Sequence, residues 1–386
     1  MLKKLFGLAL ALLATLAVSA QVRVGEGQLS GSFESNSIYY QDDSGLGAAG
    51  TAPDDRFGSN NYMKLDYMNG RFSAGLQIDA YLPALQGYEI GQQPGAYHFY
   101  LSSKYIQWQD HNYSVRVGDI FDQFGSGLIF RSFEDRQLGF NNSIEGVQGI
   151  YRFGDYVEVK GMYGRPRLYT DYADSWVRGA DLHISLNDIF GWNAAQFSAE
   201  GSYVNRYESL DKDQTIDFAS RGLTSPNLNM YSGRLNFDWK GLSLYARFDF
   251  ATGYVAQNSR KQYYMALSQG TFNTLKESKD TWSEERPNAK YPILMYADTK
   301  FRNNYRMSNI FYDDSSYLCA REIALSYSLP ERWARVVRMK NLTVSVTGQN
   351  LFYWTGSSLY NPEYGVNGNG GYAIPRTVLF GIKATF

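Results

Sequence analysis

The sequence is poor in the residues that build disulfides and metal sites. It has one cysteine, Cys319, and three histidines, His98, His111 and His183. A single cysteine excludes an intramolecular disulfide, and no histidine lies at ligand spacing from another or from Cys319. We therefore expect no zinc or copper site, and nothing in the chain predicts a cofactor. The formal net charge of −1 gives no reason to expect a nucleic-acid partner.

Long apolar runs are missing after the first residues. Met1 to Ala20 begins with basic Lys3 and Lys4, continues with an apolar stretch and ends on small residues. This pattern is typical of a secretory signal peptide, and we expect cleavage after Ala20. Beyond it, no apolar run approaches the roughly 18 residues that a membrane helix requires, which excludes a helical membrane protein.

Aromatic residues and glycine are abundant instead. The chain has 32 Tyr, 23 Phe and 37 Gly, and aromatic residues make up 16% of it. Membrane β-barrels place aromatic girdles at both lipid interfaces, whereas soluble domains rarely carry so many aromatic residues. The mean hydropathy of −0.39 agrees with strands that turn one face to a polar lumen.

The C-terminal stretch alternates between apolar and small or polar residues. Val378, Phe380, Ile382, Ala384 and Phe386 form the apolar set. Such alternation over this length predicts one transmembrane strand. A last strand that ends on an aromatic residue resembles the C-terminal targeting signal of bacterial outer-membrane barrels. The resemblance implies that barrel-assembly machinery recognises this strand, with Phe386 as the targeting residue.

The same alternation predicts about fourteen strands in all, joined by connections that are short and long in turn. The predicted strands are 27–40, 61–68, 71–82, 97–108, 113–121, 144–153, 156–164, 177–186, 195–207, 229–239, 242–254, 317–329, 341–352 and 376–386. This series predicts one all-β, antiparallel barrel over residues 21–386, surrounded by the lipids of the bacterial outer membrane, with tight periplasmic turns and long extracellular loops. A soluble β-sandwich would not give the whole alternating series.

The clearest strand, 71–82, predicts which side chains line the lumen. Its apolar set from Phe72 to Leu82 would face lipid, and Arg71, Gln77 and Asp79 would face the lumen. A tight hairpin turn is expected just before it, at Asn69 and Gly70.

The loop that ends at Ser143 carries the densest charge cluster of any middle loop. Its charged residues are Arg131, Glu134, Asp135 and Arg136, and they follow a predicted turn at Gly125 to Gly127. A loop folded into a barrel can constrict the pore and set its charge selectivity. The alternative is an exposed loop whose charges pair with one another.

Other polar groups carry weaker hypotheses. Asp181, His183 and Ser185 share one strand face and suggest a hydrolase triad, but ordinary lumen residues explain them better, and we expect no enzyme. Asp313 and neighbouring carboxylates match no calcium-loop spacing, so we expect solvated charges and no metal. The last loop has four aromatic residues, Tyr353, Trp354, Tyr360 and Tyr364, and they favour an interfacial belt over sugar stacking.

Two stretches resemble known families. Residues 27–254 resemble an uncharacterised outer-membrane barrel family of the Bacteroidota, a domain of unknown function. The matching phrases are GRFSAGLQIDAYLPALQGYE, VGDIFDQFGSGLIFRSFEDRQLGFNNSIEGV, YGRPR and VRGADL. Residues 263–386 resemble the C-terminal barrel strands of SusC-like, TonB-dependent glycan importers, through NAKYP, DDSSYLCAREIALSYSLP, VSVTGQNLFYWT, YNPE and IPRTVLFGIKATF.

The second resemblance implies a barrel and a SusD-like lipoprotein partner. SusC-like importers place a plug before a barrel of about twenty-two strands, whereas only Gln21 to Glu26 lie between the signal peptide and the first strand here. We therefore do not expect energy-coupled import by this chain alone. The sequence predicts a pore or transporter component for small solutes. The alternative is a non-conducting assembly or surface-binding component of the outer membrane.

Overall fold

The described residues of the protein fold mostly into β-strands, so the predicted all-β class is confirmed. The computed structural model describes residues 21–42, 52–88, 98–208, 227–253, 255–258, 260–261, 267–268, 276–293, 295–296, 309–336, 338–358, 361–363 and 373–385. The predicted signal peptide and Phe386 lie outside these residues. The chain forms two compact units, and the boundary in sequence falls between Asp181 and Leu182.

The first unit is an antiparallel meander. Its strands are β1 (Gln21–Val24), β2 (Gly27–Tyr39), β3 (Phe57–Asn69), β4 (Phe72–Tyr81), β5 (His98–Gln109), β6 (Tyr113–Ile120), β7 (Glu134–Asp135), β8 (Phe140–Asn141), β9 (Ile144–Phe153), β10 (Val157–Leu168), β11 (Asp171–Tyr172) and β12 (Ser175–Ser185), which continues past the boundary. Each of the strands β1 to β5 pairs with the strand that follows it, β6 pairs with β9, and β9 pairs with β10. The hairpin of β7 and β8 stands apart from this sheet.

The second unit repeats the arrangement. Its elements are the helix α1 (Leu186–Phe190), β13 (Ala195–Glu208), β14 (Asn227–Trp239), β15 (Leu242–Thr252), β16 (Val255–Gln257), β17 (Leu267–Ser268), β18 (Met295–Tyr296), β19 (Tyr312–Asp314), β20 (Tyr317–Ser328), the helix α2 (Glu331–Val336), β21 (Asn341–Gln349), β22 (Tyr353–Thr355) and β23 (Thr377–Thr385). The order of antiparallel pairing is β13, β14, β15, β20, β21 and β23. Among the described residues, no helix has the length and apolar character needed to cross a membrane.

Every predicted strand overlaps a strand of eight or more residues, with ends displaced by at most a few positions. The predicted 144–153 coincides with β9. The prediction was wrong at the start of β3, which begins at Phe57 and not at residue 61. The added residues include polar Asn60, whose side-chain oxygen accepts the backbone N–H of Leu85 at 3.0 Å. A polar, glycine-containing stretch predicts a loop locally, but residues 57–60 form strand because they pair with residues 36–39 of β2.

Tight turns and long connections alternate in each unit. Gly70 and Arg71 join β3 to β4, so the turn lies one residue later than predicted. Lys240 and Gly241 are the two residues between the predicted strands 229–239 and 242–254, and they join β14 to β15 with φ values of +48° and +88°. Positive φ at both positions suits the twist of a two-residue hairpin. Long connections, such as 121–143 in the first unit and 253–316 in the second, lie at the opposite strand ends.

Apolar side chains are exposed and polar ones are buried along these strands. On β23, Phe380 is 84% exposed and Ile382 78%, and they pair with Val346 and Val344 of β21. The buried residues of the first unit include Asp79 and Asp119, each almost without exposed surface. This arrangement reverses that of a soluble sheet, whose apolar face is buried.

A row of charged side chains crosses the sheet of the second unit. Glu200 on β13 lies opposite Arg234 on β14, Arg234 opposite Arg247 on β15, and Arg247 opposite Glu322 on β20. Arg234 forms an ion pair with Glu200, and Arg247 lies 3.7 Å from Glu322. We call these four residues the charged row. Its two arginines lie opposite each other on β14 and β15, and the two carboxylates lie on the flanking strands β13 and β20.

The exposed face of β21 provides a test of its predicted contact with lipid. Val344→Arg places a charge on the exposed apolar face and should destabilise the membrane-inserted protein by about 2–4 kcal/mol. Thr347→Arg adds the same charge on the other face of the same strand and should cost much less. Heat-modifiable gel mobility after refolding into liposomes measures both. Equal losses in the two variants would contradict the assignment of faces.

Candidate functional site

The connection between β6 and β9, residues 121–143, is a compact loop that we call the inner loop. Phe124 is buried, with its ring centroid 4.9 Å from that of Phe130. The Ser132 hydroxyl lies 2.9 Å from the carbonyl oxygens of Ile120 and Asn142. These contacts give the loop its own packed interior and fix it to the ends of both strands.

The tip of the inner loop is shaped by its charged residues. Glu134 and Asp135 form β7, which pairs with β8. The Asp135 carboxylate accepts the backbone N–H groups of Gln137 and Leu138 at 3.0 and 3.1 Å. An aspartate that bonds to the backbone two and three residues later closes a tight turn. Asp135 therefore shapes the tip and leaves Glu134 and Arg136 for contacts elsewhere.

Glu134 and Arg136 lie against the polar face of β4. Gln77 Nε2 donates to Glu134 Oε1 at 2.6 Å, and Arg136 Nη2 donates to Gln77 Oε1 at 3.0 Å. Arg136 Nη1 also donates to Glu34 Oε2 on β2 at 2.8 Å. Charged hydrogen bonds of this length are the strong ones. They hold the inner loop across the polar faces of two strands of the first unit.

Asp79 lies beside this contact and is 2% exposed. Gln77 Nε2 donates to Asp79 Oδ1 at 3.1 Å, and the Ser102 hydroxyl donates to the same oxygen at 2.6 Å. The register of β4 and β5 shifts here, so that Ser102 is the extra residue of a β-bulge. A bulge changes the direction of a side chain. Here it turns the Ser102 hydroxyl toward Asp79, whereas regular alternation would place it on the other face.

The structure therefore brings together four of the predicted site residues, Gln77, Asp79, Glu134 and Arg136. The other three, Arg71, Arg131 and Asp135, do not join this group, and Asp135 lies at the tip of the inner loop. Arg71 forms an ion pair with Asp110 at 2.6 Å near the tight turns, at the opposite strand ends from the inner loop. Arg131 is exposed and lies over the ring of Phe133 at 4.6 Å. The turn predicted at Gly125 to Gly127 is confirmed, because the Gly127 N–H donates to the Phe124 carbonyl at 2.8 Å.

A second polar cluster of the first unit was not found from the sequence. Asp119 and Arg167 have fully buried side chains, 3.3 Å apart. Ser143 donates to Asp119 at 2.8 Å, and the backbone N–H of Lys104 donates to it at 3.0 Å. Both charged residues lie within the phrases that carry the family resemblance, VGDIF and YGRPR. The signal that could have identified Asp119 and Arg167 is that each is a charged residue inside a phrase that matches the family.

Gly118 makes the position of Asp119 attainable. Its φ of +113° lies in a region that favours glycine, and a Cβ there would overlap the carbonyl of Lys104. The backbone of β6 can therefore lie close to β5 just where Asp119 accepts the N–H of Lys104.

In the second unit, Arg321 joins three segments. It is the extra residue of a bulge between β15 and β20. Its Nε donates to Asp249 on β15, and its Nη2 donates to Glu363 in the last loop, both at 2.6 Å. The Tyr353 hydroxyl donates to Glu363 at 2.7 Å, so this ring belongs to the polar cluster around Arg321. Tyr360 and Tyr364 lie outside the described residues.

Asp313 corrects another prediction. It is 7% exposed, so it is not a solvated charge. Lys261 forms an ion pair with it, and Asn258 and Ser358 donate to it at 2.8 and 2.7 Å. Burial alone would raise the pKa of the Asp313 carboxyl, but the hydrogen bonds from Lys261, Ser358 and Asn258 outweigh burial and lower it.

Two further hypotheses from the sequence concern a hydrolase triad that includes Ser185 and a metal site built from carboxylates. Ser185 donates to Asn187 at 3.0 Å and also to Asp188, at the start of α1. Over the described part of the chain, no group of three or more His, Cys, Asp or Glu residues is arranged to hold a metal ion.

A family model matches most of the chain. It is described as a family of unknown function (DUF6029) and matches residues 1–329. The match runs well past residue 254, where the first resemblance was predicted to end. The family therefore reaches into the stretch that resembles SusC-like importers.

The chain is also similar to transport proteins. The TonB-dependent receptor P26 of Formosa agariphila is 25% identical over 169 residues, which cover 39% of this chain and 17% of that protein. The RagAB peptide importer in its closed-closed state has a TM-score of 0.58 at 11% identity, over 95% of this chain and 54% of that one. A structure of the RagAB peptide transporter gives 0.55 at 12% identity, with the same coverage.

These likenesses are partial in extent. This chain spans about half the length of the RagAB chain and matches less than a fifth of the receptor. At such low identity, the RagAB structures show a shared fold.

The pKa of Asp313 provides a test of the second unit. Because this pKa is lowered on folding, its stabilisation is present above the ordinary carboxyl pKa of 3.8 and is lost as the pH falls through the lower, folded-state pKa. Asp313→Asn should lower the free energy of local opening at neutral pH by about 1–3 kcal/mol. Hydrogen exchange at β16 and β19 measures the opening. An unchanged protection in the variant would contradict the assigned role.

Proposed function

The chain belongs to this family of unknown function (DUF6029), and we propose that it is an outer-membrane β-barrel through which small polar solutes pass. The observation that carries the proposal is the contact of the inner loop with the polar face of β4. Glu134 and Arg136 of the loop bind Gln77. A charged loop held over a polar face suits a barrel with a hydrated interior.

The exposed apolar faces support a membrane location. Phe380 and Ile382 of β23 are more than three-quarters exposed, which costs little in lipid and much in water. The predicted signal peptide and the C-terminal strand agree with export to the bacterial outer membrane. On this proposal lipid covers the apolar faces, and the barrel-assembly machinery inserts the chain by recognising the last strand with Phe386.

The strands of eight or more residues would close into one antiparallel barrel of about fourteen strands. An open strand edge exposes backbone N–H and C=O groups, which hydrocarbon cannot solvate. A barrel of this size leaves room for a pore that a loop can narrow. The inner loop would be that constriction, with Gln77, Asp79, Glu134 and Arg136 at its narrowest part. The protein would not be an enzyme.

A second candidate function is a non-conducting assembly or surface-binding component that partners a SusD-like lipoprotein. The likeness to the RagAB peptide importer and the packed cluster around Asp313 in the long 253–316 connection favour it. A pull-down of the membrane-inserted protein with SusD-like lipoproteins tests it, and a clean negative would count against it.

Single-channel conductance of the refolded protein in a planar bilayer tests the pore. We expect steady open steps. Glu134→Ala removes a negative charge from the constriction and should shift the permeability ratio toward anions by about twofold or more. Arg136→Ala removes a positive charge and should shift the ratio toward cations. Because Arg136 also bonds the loop to Gln77 and Glu34, its loss should raise the conductance as well.

Arg131→Ala is the matched control. It removes the same charge from the same loop, but Arg131 is exposed and lies over Phe133, so we expect selectivity close to that of the unchanged protein. Equal shifts for Arg131→Ala and Arg136→Ala would contradict the proposed constriction. Silence from a demonstrably folded barrel would overturn the open pore and favour the second function.

A further inference from the structure

A charged patch interrupts the exposed apolar face of the first unit. Lys104 on β5 lies opposite Leu76 on β4, which belongs to the exposed apolar set of that strand. Glu145 on β9 lies opposite Arg165 on β10, two positions from exposed Tyr163. Because side chains alternate along a strand, these charged residues share a face with the apolar ones. We call Lys104, Glu145 and Arg165 the lateral patch.

The strands between these residues continue the same face. Ile106 on β5 lies opposite Val117 on β6, and Val117 lies opposite Val147 on β9. All three apolar residues are exposed. Lys104 is two positions from Ile106, and Glu145 is two positions from Val147. The lateral patch therefore lies on the exposed apolar face and not on the polar face that the inner loop contacts.

The two cations of the lateral patch share one carboxylate and keep exposed surface. Lys104 Nζ lies 2.6 Å from Glu145 Oε1, and Arg165 Nη2 donates to Glu145 Oε2 at 2.9 Å. The Lys104 side chain is 42% exposed and that of Arg165 is 39% exposed. Asp119 lies 3.9 Å from Lys104, but it has no exposed surface and pairs with Arg167. The surface of the lateral patch thus has two cations and one carboxylate.

Two further carboxylates of this region lie on the other face. Asp79 is three positions from Leu76 on β4. Asp171 lies opposite Leu168, which is three positions from Arg165 on β10. Because an odd spacing places side chains on opposite faces, neither carboxylate binds the cations of the lateral patch.

Aromatic rings adjoin the lateral patch. The guanidinium carbon of Arg165 lies 5.7 Å from the centroid of the Trp176 ring. Trp176 stacks with Tyr163 at a centroid distance of 5.0 Å, and both rings are exposed. Trp and Tyr next to Lys or Arg are typical of the depth at which hydrocarbon meets lipid headgroups.

The length of β9 indicates the same depth. Phe153 is exposed beside a tight turn and lies eight positions from Glu145. Eight residues of strand span about 27 Å, and a strand tilt of about 40° reduces this to about 20 Å of membrane depth, close to the ~25 Å apolar band of outer-membrane barrels. If Phe153 belongs to the aromatic girdle at one interface, the lateral patch lies at the opposite interface, near the long connections.

The donors of the lateral patch are suited to a phosphate group. Among the described residues, the Arg165 guanidinium donates one hydrogen bond, from Nη2 to Glu145, so Nε and Nη1 remain for phosphate oxygens. A guanidinium binds phosphate through two parallel hydrogen bonds, and a lysine adds a point charge. Because Lys104 and Arg165 contact the two oxygens of one carboxylate, they are close enough together for one phosphate.

We propose that the lateral patch binds the phosphate group of an anionic lipid in the outer leaflet of the outer membrane. Lys104 and Arg165 bind the phosphate oxygens, and the acyl chains lie along exposed apolar residues such as Val147. The long connections, which the sequence predicts to be extracellular, indicate the outer leaflet. The inference rests on the proposed membrane location but does not require that the barrel conduct.

Native mass spectrometry of the folded, detergent-solubilised protein tests the site with phosphatidic acid and phosphatidylcholine of the same acyl chains. We expect phosphatidic acid to bind at least about tenfold more tightly, because each cation near an anionic lipid contributes about fivefold. Inorganic phosphate at the same concentration should not displace the lipid, because it lacks chains that contact the apolar face. Equal affinity for the two lipids, or displacement by inorganic phosphate, would overturn the proposal.

Matched variants locate the binding. Lys104→Gln and Arg165→Gln should each lower the affinity for phosphatidic acid by about fivefold. Lys64→Gln removes the same charge from a side chain of similar exposure, 44%, but Lys64 lies opposite Gln77 on the polar face. We therefore expect its affinity to stay within about twofold of that of the unchanged protein. Equal losses for Lys104→Gln and Lys64→Gln would overturn the assignment to the lateral patch.

The comparison of lipids uses the unchanged protein, so it decides even if a variant does not fold. It is also independent of conductance, and insertion into liposomes is measured separately. A protein that inserts but binds both lipids equally contradicts the lipid site alone. A silent barrel that prefers phosphatidic acid contradicts the pore and supports the site. A folded protein that does not insert contradicts the membrane location and the lipid site together.

Discussion

The strict alternation of side chains along each strand is the constraint on which the other features depend. Neighbouring side chains of a pleated strand point to opposite faces. In an alternating sequence the apolar residues therefore occupy one face, and the polar residues on the other face need polar contacts. On β23, Phe380 and Ile382 occupy the exposed face. On β4, the opposite set is buried, and Gln77 and Asp79 must find partners inside the unit. The inner loop supplies the partners of Gln77 through Glu134 and Arg136, and Ser102 of β5 supplies a donor for Asp79.

Two local breaks in the alternation place the polar residues that matter most. Ser102 on β5 and Arg321 on β20 are each the extra residue of a bulge. Each binds a buried aspartate of the neighbouring strand, Asp79 for Ser102 and Asp249 for Arg321. Each unit thus contains a bulge whose extra residue donates a hydrogen bond to a buried carboxylate. Bulges of this kind are features of a fold rather than defects.

The sequence predicted what depends on local pattern. Strand positions, the turn at Lys240 and Gly241, and the exposed apolar set of the last strand follow from alternation and turn chemistry. The charges of the inner loop were also found, because Glu134 and Arg136 stand close together in the chain. Partners distant in sequence were beyond reach. Asp119 meets Arg167, and Asp313 meets Lys261, only through pairing that no single strand encodes. The bulge at Ser102 was hidden for the same reason.

The charged row of the second unit has a consequence for assembly. Glu200, Arg234, Arg247 and Glu322 stand side by side on four consecutive strands. If one strand slipped by a single residue, its whole set of side chains would change faces. An arginine of the row would then meet hydrocarbon, at about 2–4 kcal/mol near the bilayer midplane, and its carboxylate would lose its partner. The row therefore favours the native strand register, because a sheet in which β14 or β15 is shifted by one residue would be less stable in the membrane.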